Sequence, residues 1–208
     1  MRQKILGRAF DADSGDLLYS EHHFCAEDML ECVVNYRDSY GELIARKTLD
    51  FSTGSYQPSL QMSDFRRSSE YSFNTSKQEN LVVDAGFDNF IRGNWQDLDE
   101  GEVVKFPFKV MGIDSPLKMQ ALRDVSGDCN DKQLCLKVTL DSWFLGMLVA
   151  PIKLSYSKEG RRLLRFRGVS NIVGAAGESL NVDLRYDYED GILPLGSLYQ
   201  REPEAFSL

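Results

Sequence analysis

The side chains that could do acid–base chemistry in this sequence are two adjacent histidines, His22 and His23, and many carboxylates. The histidines fall in a strand-like run, where successive side chains point to opposite faces, so they cannot act as a pair. Either one alone could serve as a general base beside an Asp or Glu. The chain contains no GxSxG, no HExxH, no P-loop and no GxGxxG followed by a helix. The sequence therefore supports no catalytic constellation and indicates no cofactor.

Four cysteines form two close pairs, Cys25 with Cys32 and Cys129 with Cys135. Each pair flanks a short polar segment between strand-like runs, and cross-strand disulfides in an exported protein would explain this spacing. Free thiols in a cytosolic protein are the alternative. A zinc site is disfavoured, because neither pair has CxxC spacing and the histidines lie close only to Cys25. We therefore predict two disulfides and no metal site.

The charge of the chain is negative overall but unevenly spread. A net charge of −8 argues against a nucleic-acid partner. Residues 11–31 contain seven Asp or Glu and no Lys or Arg, whereas residues 153–167 contain six basic residues and one Glu. The basic stretch is either a solvated strand face that pairs with acidic segments or a site for an anionic ligand. Arg165 and Arg167 are the candidates for such a site.

One stretch, residues 81–98, has a helical pattern in a sequence that otherwise resembles strands. Its large apolar residues fall on one stripe at about 100° per residue, as in a helix laid on a core; they are Phe87, Phe90, Ile91, Trp95 and Leu98. We predict a helix over residues 84–98, capped by the Asp84 carboxylate and ended by Gly101.

Two residues of this predicted helix do not fit a pure packing role. Asn94 falls inside the apolar stripe, and Gly93 in mid-helix costs about 1 kcal/mol relative to Ala. In a packing interpretation, Asn94 bonds a neighbouring backbone group and Gly93 permits a close crossing. In a functional interpretation, Asn94 is a polar group that faces a cavity.

The rest of the sequence is typical of antiparallel strands joined by short turns. Residues 5–24, 32–51 and 153–168 each have two strand-like runs around a polar turn that contains Gly, which predicts three hairpins. Residues 182–188 alternate between apolar and charged side chains. They are the natural partner of residues 161–167, whose arginines would face their aspartates.

The segment 141–150 is apolar on every face and is either a buried strand or a short helix that ends before Pro151. We prefer a helix over residues 142–150, which would have to be enclosed. The chain is then one domain, residues 1–208, of the α+β class and mostly antiparallel β. We predict a strongly curved sheet or half-barrel, with the helices of residues 84–98 and 142–150 packed on its concave face.

A curved sheet closed by helices leaves an apolar interior, which is the usual setting of a small-ligand site. The candidate ligand-binding residues in this arrangement combine aromatic, amide and cationic side chains; they are Asn94, Trp95, Trp143, Arg165 and Arg167. The alternative is that both tryptophans are ordinary core residues.

The stretches VVDAGFDNFIRGNWQDLDEGE (residues 82–102) and GRRLLRFRGVSNI (residues 160–172) resemble a family of uncharacterised bacterial proteins that usually begin with an export signal. The resemblance spans most of the chain and implies a periplasmic or other Gram-negative envelope location, but it implies no activity. The N-terminal residues MRQKILGRAF lack an apolar core and a cleavage site, so they are not a signal peptide. A cytoplasmic location is the alternative. In layout alone, the predicted fold resembles the lipoprotein-carrier half-barrels.

Three functional hypotheses follow. The first is a non-catalytic envelope protein that binds an apolar or amphipathic small molecule, a lipid or a partner in the concavity, with no nucleic acid and no transmembrane segment. The second is an enzyme that uses carboxylates and His22 or His23, which a cleft with a histidine near a buried Asp or Glu would favour. The third is a purely structural interaction module with an exposed apolar patch and no pocket.

Overall fold

A computed structural model describes residues 2–74, 80–125, 129–142 and 150–189. In these residues, thirteen strands form one sheet that two short helices accompany. The first seven strands are β1 (Arg2–Asp11), β2 (Leu17–Cys25), β3 (Glu31–Asp38), β4 (Leu43–Asp50), β5 (Ser59–Asp64), β6 (Ser69–Phe73) and β7 (Val82–Val83). The helices follow as α1 (Gly86–Gly93) and α2 (Trp95–Glu100). The last six strands are β8 (Val104–Lys109), β9 (Leu117–Arg123), β10 (Gln133–Leu140), β11 (Ile152–Ser157), β12 (Leu163–Val173) and β13 (Ser179–Tyr188).

The sheet is built from two meanders that meet in its middle. The strand order is β6-β5-β4-β3-β2-β1-β13-β12-β11-β10-β9-β8-β7. The central pair is therefore β1 and β13, with Ile5 opposite Tyr188 and Asp11 opposite Val182. Neighbouring strands run antiparallel except at the β7 edge, where β7 pairs with β8 in parallel. Short hairpin turns suffice for most of these connections, which is why the sequence shows so many turns.

The sheet is strongly curved and remains unclosed. Strands β6 and β7 are consecutive in the chain but lie at opposite edges of the sheet. The loop that follows β4 nevertheless contacts the β7 region, since the Val83 amide donates to the Tyr56 carbonyl at 2.9 Å. The Asn89 side chain of α1 donates to the Ser55 carbonyl in the same loop at 3.0 Å. These contacts bring the two halves of the sheet around α1 and confirm the predicted half-barrel.

The predicted hairpins and disulfides are confirmed. Residues 5–24 form β1 and β2, residues 32–51 lie in β3 and β4, and residues 153–168 lie in β11 and β12. Cys25 and Cys32 lie directly opposite each other on β2 and β3 and are bonded, as are Cys129 and Cys135. Strand β13 pairs with β12 as predicted.

Two hydrophobic clusters fill the concave side of the sheet. The first lies over β1 to β5, β12 and β13, and its buried members include Tyr19, Val34, Leu49, Leu60 and Ile172. The second lies between the helices and β8 to β11, and its buried members include Ile91, Trp95, Leu98, Leu134 and Leu136. Phe166 packs against both clusters, so it marks the point where they meet.

The amphipathic segment is helical, but the prediction of one continuous helix over residues 84–98 is wrong. The segment forms α1 and α2, separated by Asn94, whose φ of −107° and ψ of 26° are not helical. The amphipathic stripe continues through this break, because Phe90, Ile91, Trp95 and Leu98 are all buried. The predicted end is confirmed: Gly101 has φ 96°, and its amide donates to the Leu98 carbonyl.

The prediction that Asp84 caps this helix is also wrong. The residue that precedes α1 is Ala85, and no side chain caps the first turn. Asp84 has a φ of +42°, and its carboxylate accepts hydrogen bonds from Lys47, Asn171 and the adjacent Ala85 amide. A buried lysine is a stronger partner for a carboxylate than free helix amides are, so Asp84 is directed away from the helix axis.

Gly93 and Asn94 make the contacts that the packing interpretation predicts, a close crossing at Gly93 and a backbone hydrogen bond from Asn94. A Cβ atom on Gly93 would collide with the Tyr56 hydroxyl, and one on Gly86 would collide with the Tyr56 carbonyl oxygen. The Asn94 amide donates to the Phe90 carbonyl at 2.8 Å. Glycine is therefore needed twice in α1 because the loop after β4 lies directly against it.

The predicted apolar helix over residues 142–150 cannot be compared with the structure, because residues 143–149 lie outside the described part of the chain. The same holds for residues 190–208. Within the described residues, neither helix has the length and apolar character that crossing a membrane would require.

Gly86→Ala should lower the free energy of unfolding by about 1–3 kcal/mol, although Ala favours a helix more than Gly does. The physical reason is that the new Cβ would meet the backbone oxygen of Tyr56, which cannot move without shifting the loop. Gly54→Ala in the same loop is the matched control, because its Cβ would have 3.7 Å to the nearest atom. Urea unfolding would measure both, and a Gly86→Ala value as small as the control would contradict the close packing.

Candidate functional site

A cavity of about 230 Å³ lies between the concave face of the sheet and the first turns of α1. One part of its wall is apolar and includes Val34, Leu49, Phe51, Phe87, Phe166 and the Cys25–Cys32 disulfide. The other part carries charged groups, which are Glu21, His23, Lys47, Asp84, Asp88 and Arg92. The interior that the sequence predicts to be apolar is therefore amphipathic.

Two of these groups, Lys47 and Asp84, form a buried ion pair. The Lys47 ammonium lies 2.7 Å from Asp84 Oδ1, and their side chains are only 5% and 2% exposed. Asn171 donates to Asp84 Oδ2 at 2.9 Å, and the Ala85 amide donates to Oδ1 at 2.7 Å. The pair is charge-balanced and hydrogen-bonded, which is the condition under which buried charges are tolerated.

Local structure explains why these three side chains meet. Lys47 has the same strand phase as Ala45 and Leu49 on β4, so it must point to the concave side. Asp84 precedes α1 in a left-handed conformation, which turns it toward β4. Asn171 reaches it from the far end of β12. The triad thus links one half of the sheet to α1 and to the other half.

The second polar group of the cavity is a histidine beside a buried carboxylate. His23 Nε2 lies 3.2 Å from Glu21 Oε2, and Glu21 is 7% exposed. The Tyr186 hydroxyl donates to the same oxygen at 3.1 Å. Burial raises the pKa of Tyr186 well above its usual value, and the Glu21 carboxylate raises it further. Tyr186 therefore stays protonated and holds Glu21 toward His23.

The two histidines lie on opposite faces, as predicted. His22 contacts Ser20 at 3.1 Å, which is on the convex side of the sheet. Burial lowers the pKa of His22, and nearby Arg37 lowers it further. Only His23 faces the cavity, so only this histidine could act on a ligand bound there.

The third polar group lies on α1 itself. Arg92 forms an ion pair with Asp88 one turn earlier and donates to Asn89 Oδ1 at 2.9 Å. The Tyr156 hydroxyl donates to Asp88 Oδ1 at 2.9 Å. Burial raises the pKa of Tyr156 well above its usual value, and Asp88 adds to this. Helix α1 therefore turns its apolar side to the second cluster and a polar side to the cavity.

The predicted site residues do not lie together. Asn94 and Trp95 stand at the junction of the two helices, outside the cavity wall. The Trp95 ring is 7% exposed, meets the Tyr156 ring edge-on with centroids 5.9 Å apart, and lies 5.1 Å from the Arg161 guanidinium. A role of Asn94 and Trp95 in ligand binding stays a prediction. Trp143 lies outside the described residues.

Arg165 and Arg167 lie on the convex side of the sheet, because they alternate with Phe166, which packs into the interior. Arg165 donates twice to Asp183 on β13, at 2.6 Å and 2.7 Å, and Arg185 donates to the same carboxylate at 2.8 Å. This confirms the predicted contact between the arginines of β12 and the aspartates of β13. Burial alone would raise the pKa of Asp183, but the hydrogen bonds from Arg165 and Arg185 lower it to about 2.

Comparisons with known proteins add little to this geometry. No family model matches the chain, and no curated protein matches it. A solved structure of a LolA superfamily protein from Nitrosomonas europaea is similar to it, with 15% sequence identity over 89% of this chain and 82% of the other. The TM-score is 0.27, which is too low to support an argument about architecture or function.

Lys47→Met should lower the free energy of unfolding by about 3–5 kcal/mol, because it leaves the Asp84 carboxylate buried without its cation. Arg46→Met is the matched control on the adjacent, exposed position of β4 and should change stability by about 0.5 kcal/mol or less. Chemical unfolding of both variants would measure the difference. Equal effects would show that the buried pair does not hold α1 to the sheet.

Asp183→Asn should destabilise the protein at pH 6 and have a smaller effect near pH 2. The folded-state pKa of about 2 is below the usual value of 3.8, so the carboxylate stabilises the fold above about pH 4 and loses that contribution between pH 4 and pH 2. The variant lacks this contribution at every pH. Unfolding free energies of wild-type and Asp183→Asn protein, measured from pH 2 to pH 6, would test this prediction. If the difference between the two proteins did not change with pH, the ion pairs of Asp183 would be contradicted.

Proposed function

We propose that this protein binds one small amphipathic molecule in the cavity between the sheet and α1. The observation that carries the proposal is a cavity wall that combines apolar side chains with buried charges and hydrogen-bonding groups. Ligand sites in proteins are mostly apolar, with a few polar groups that fix orientation. A purely structural module would need no such cavity.

The apolar part suits a single short chain or ring. Val34 and Leu49 are 1% and 7% exposed, and Phe51, Phe87 and Phe166 add aromatic surface. A volume of about 230 Å³ lies just below the ~300–1,000 Å³ that drug-sized ligands occupy. We therefore propose that the ligand has one apolar portion and is not a lipid with several acyl chains.

The charged part favours a neutral or cationic polar group on the ligand. Three carboxylates line the cavity, Glu21, Asp84 and Asp88, against the two cations Lys47 and Arg92. Both cations are engaged by these carboxylates, at 2.7 Å for Lys47 and in an ion pair for Arg92. An anionic head group would add a fourth negative charge without an available cation, which is unfavourable in a partly enclosed site.

The two disulfides support an oxidising compartment. Disulfides persist in exported proteins and are rare where thiols are kept reduced, and both cysteine pairs are bonded here. The Cys25–Cys32 bond forms part of the cavity wall. We therefore propose that the ligand is met in the periplasm or a comparable envelope compartment.

An acid–base function of the same cavity is the second candidate. The observation that favours it is His23 at 3.2 Å from the buried Glu21 carboxylate, the arrangement in which a carboxylate orients a histidine as a general base. The two functions differ in the fate of the ligand. A carrier returns the molecule unchanged, whereas an enzyme returns a product, and mass spectrometry of the recovered ligand would distinguish them.

Wild-type protein should raise the fluorescence of the neutral probe N-phenyl-1-naphthylamine, which reports an apolar site. Decanol and decylamine should displace the probe more effectively than decanoate does, because the cavity has more carboxylates than cations. Leu49→Trp and Val34→Phe fill the apolar wall and should weaken probe binding by at least ~10-fold.

The matched control is Thr48→Trp, since Thr48 neighbours Leu49 on β4 but is exposed on the opposite face. Circular dichroism and thermal unfolding show which variants are folded, and the two filling variants provide independent tests. The proposal fails if wild-type protein does not bind the probe, or if folded filling variants bind it as Thr48→Trp does. Preference for decanoate would contradict the charge argument.

A further inference from the structure

The convex face of the sheet carries six cationic side chains in two cross-strand rows. In the first row, Arg165 on β12 lies opposite Arg185 on β13, which lies opposite Arg8 on β1. In the second row, Lys137 on β10 lies opposite Lys153 on β11, which lies opposite Arg167 on β12. Neighbouring strands are about 4.8 Å apart, so cations of like charge stand side by side across five strands.

Such rows are unfavourable for folding. Like charges directly opposite each other destabilise a sheet, and this chain has a net charge of −8 with acidic side chains in excess. An anion bound beside the rows would relieve this repulsion.

Carboxylates near the rows balance them only in part. Asp183 binds Arg165 and Arg185, and Asp187 pairs with Arg8. Asp124 approaches Lys153 at 4.0 Å. Within the described part of the chain, Arg167 and Lys137 have no ion-pair partner. Six cations thus face three carboxylates, and the excess lies in the row of Lys137, Lys153 and Arg167.

The rows also border a groove of about 420 Å³. Four of the cations line it, Lys153, Arg165, Arg167 and Arg185, together with one carboxylate, Asp124, and the neutral hydrogen-bonding side chains of Ser155 and Gln133. The Arg165 side chain is held in position by two hydrogen bonds to Asp183. Arg167 is exposed beside it. The groove therefore has at least one fixed guanidinium and adjacent donors that are open to a ligand.

We propose that this groove binds a phosphate group, carried either by a soluble molecule or by a lipid head group. Guanidinium groups bind phosphate through two parallel hydrogen bonds, and several donors from different strands can satisfy its oxygens together. A single carboxylate could engage only part of this set. The site lies on the opposite side of the sheet from the cavity, so it is independent of the function proposed for the cavity.

The test uses Lys153→Gln/Arg167→Gln, which removes two cations of the groove and leaves the Asp183 ion pairs intact. Arg46→Gln/Lys118→Gln is the control, because it removes two exposed cations away from the groove and changes the net charge equally. Inorganic phosphate and pyrophosphate are titrated calorimetrically. Vesicles of phosphatidylglycerol and of phosphatidylcholine are used in flotation assays at the same ionic strength.

Wild-type and control proteins should bind a phosphate probe at least ~10-fold more tightly than the groove variant, because each charged hydrogen bond is worth more than a factor of ten. Binding of phosphate or pyrophosphate indicates a soluble ligand. Binding of phosphatidylglycerol vesicles alone indicates a lipid head group. The inference is overturned if wild-type protein binds none of these, if it binds both vesicle types equally, or if the groove variant and the control behave alike.

Discussion

The structure depends on a buried ion pair between Lys47 and Asp84 at the centre of the half-barrel. Lys47 belongs to β4, Asp84 precedes α1, and Asn171 joins the pair from β12. Removing two charges from water is costly, and attraction between them compensates only when every remaining hydrogen-bonding position is used. Here the Asp84 carboxylate also accepts hydrogen bonds from Asn171 and the Ala85 amide, even though Asp84 must adopt a left-handed conformation, which costs about 1–2 kcal/mol for a residue with a side chain.

The position of α1 determines how the interior is divided. The helix buries Phe90 and Ile91 in the second cluster, while its polar side, with Asp88 and Arg92, faces the cavity. The loop after β4 lies against Gly86 and Gly93 and so fixes how closely the helix packs on it. Among the described residues, Phe166 packs against both clusters and also lines the cavity.

Much of the fold was predictable because it depends on local patterns. Turn residues and alternation identified the hairpins, and the apolar stripe from Phe90 to Leu98 identified the helical segment. The break at Asn94 was not predictable from the apolar stripe, because the stripe continues through it; the close contact of Gly93 with Tyr56, 37 residues earlier in the sequence, is equally invisible to a local pattern. The role of Asp84 was missed for a similar reason, since a capping position near a helix gives no sign of a lysine on a distant strand.

The polar residues of the cavity could have been found from the sequence, by asking which of them occupy inward-facing positions of their strands. Lys47 lies two residues from both Ala45 and Leu49, and Glu21 and His23 lie at the same two-residue spacing between Tyr19 and Cys25. These polar residues thus share the apolar phase of their strands, which is the sequence signal of a polar group turned inward. The aromatic and cationic residues chosen from composition carried no such signal, and the structure places Arg165 and Arg167 on the other face of the sheet.

The central pairing of β1 with β13 has a consequence for how the molecule is assembled. Each meander pairs strands that are consecutive in the chain, so it can form from contacts that are local in sequence. The β1–β13 pair instead joins Ile5 to Tyr188, and the entropy of closing so long a loop must be overcome before this pair stabilises anything. Of the described strands, β13 comes last in the sequence, so in a chain made from its N-terminus β1 keeps one unpaired edge until β13 has emerged. The interior, which strands of both meanders line, is therefore completed only when these two distant strands pair.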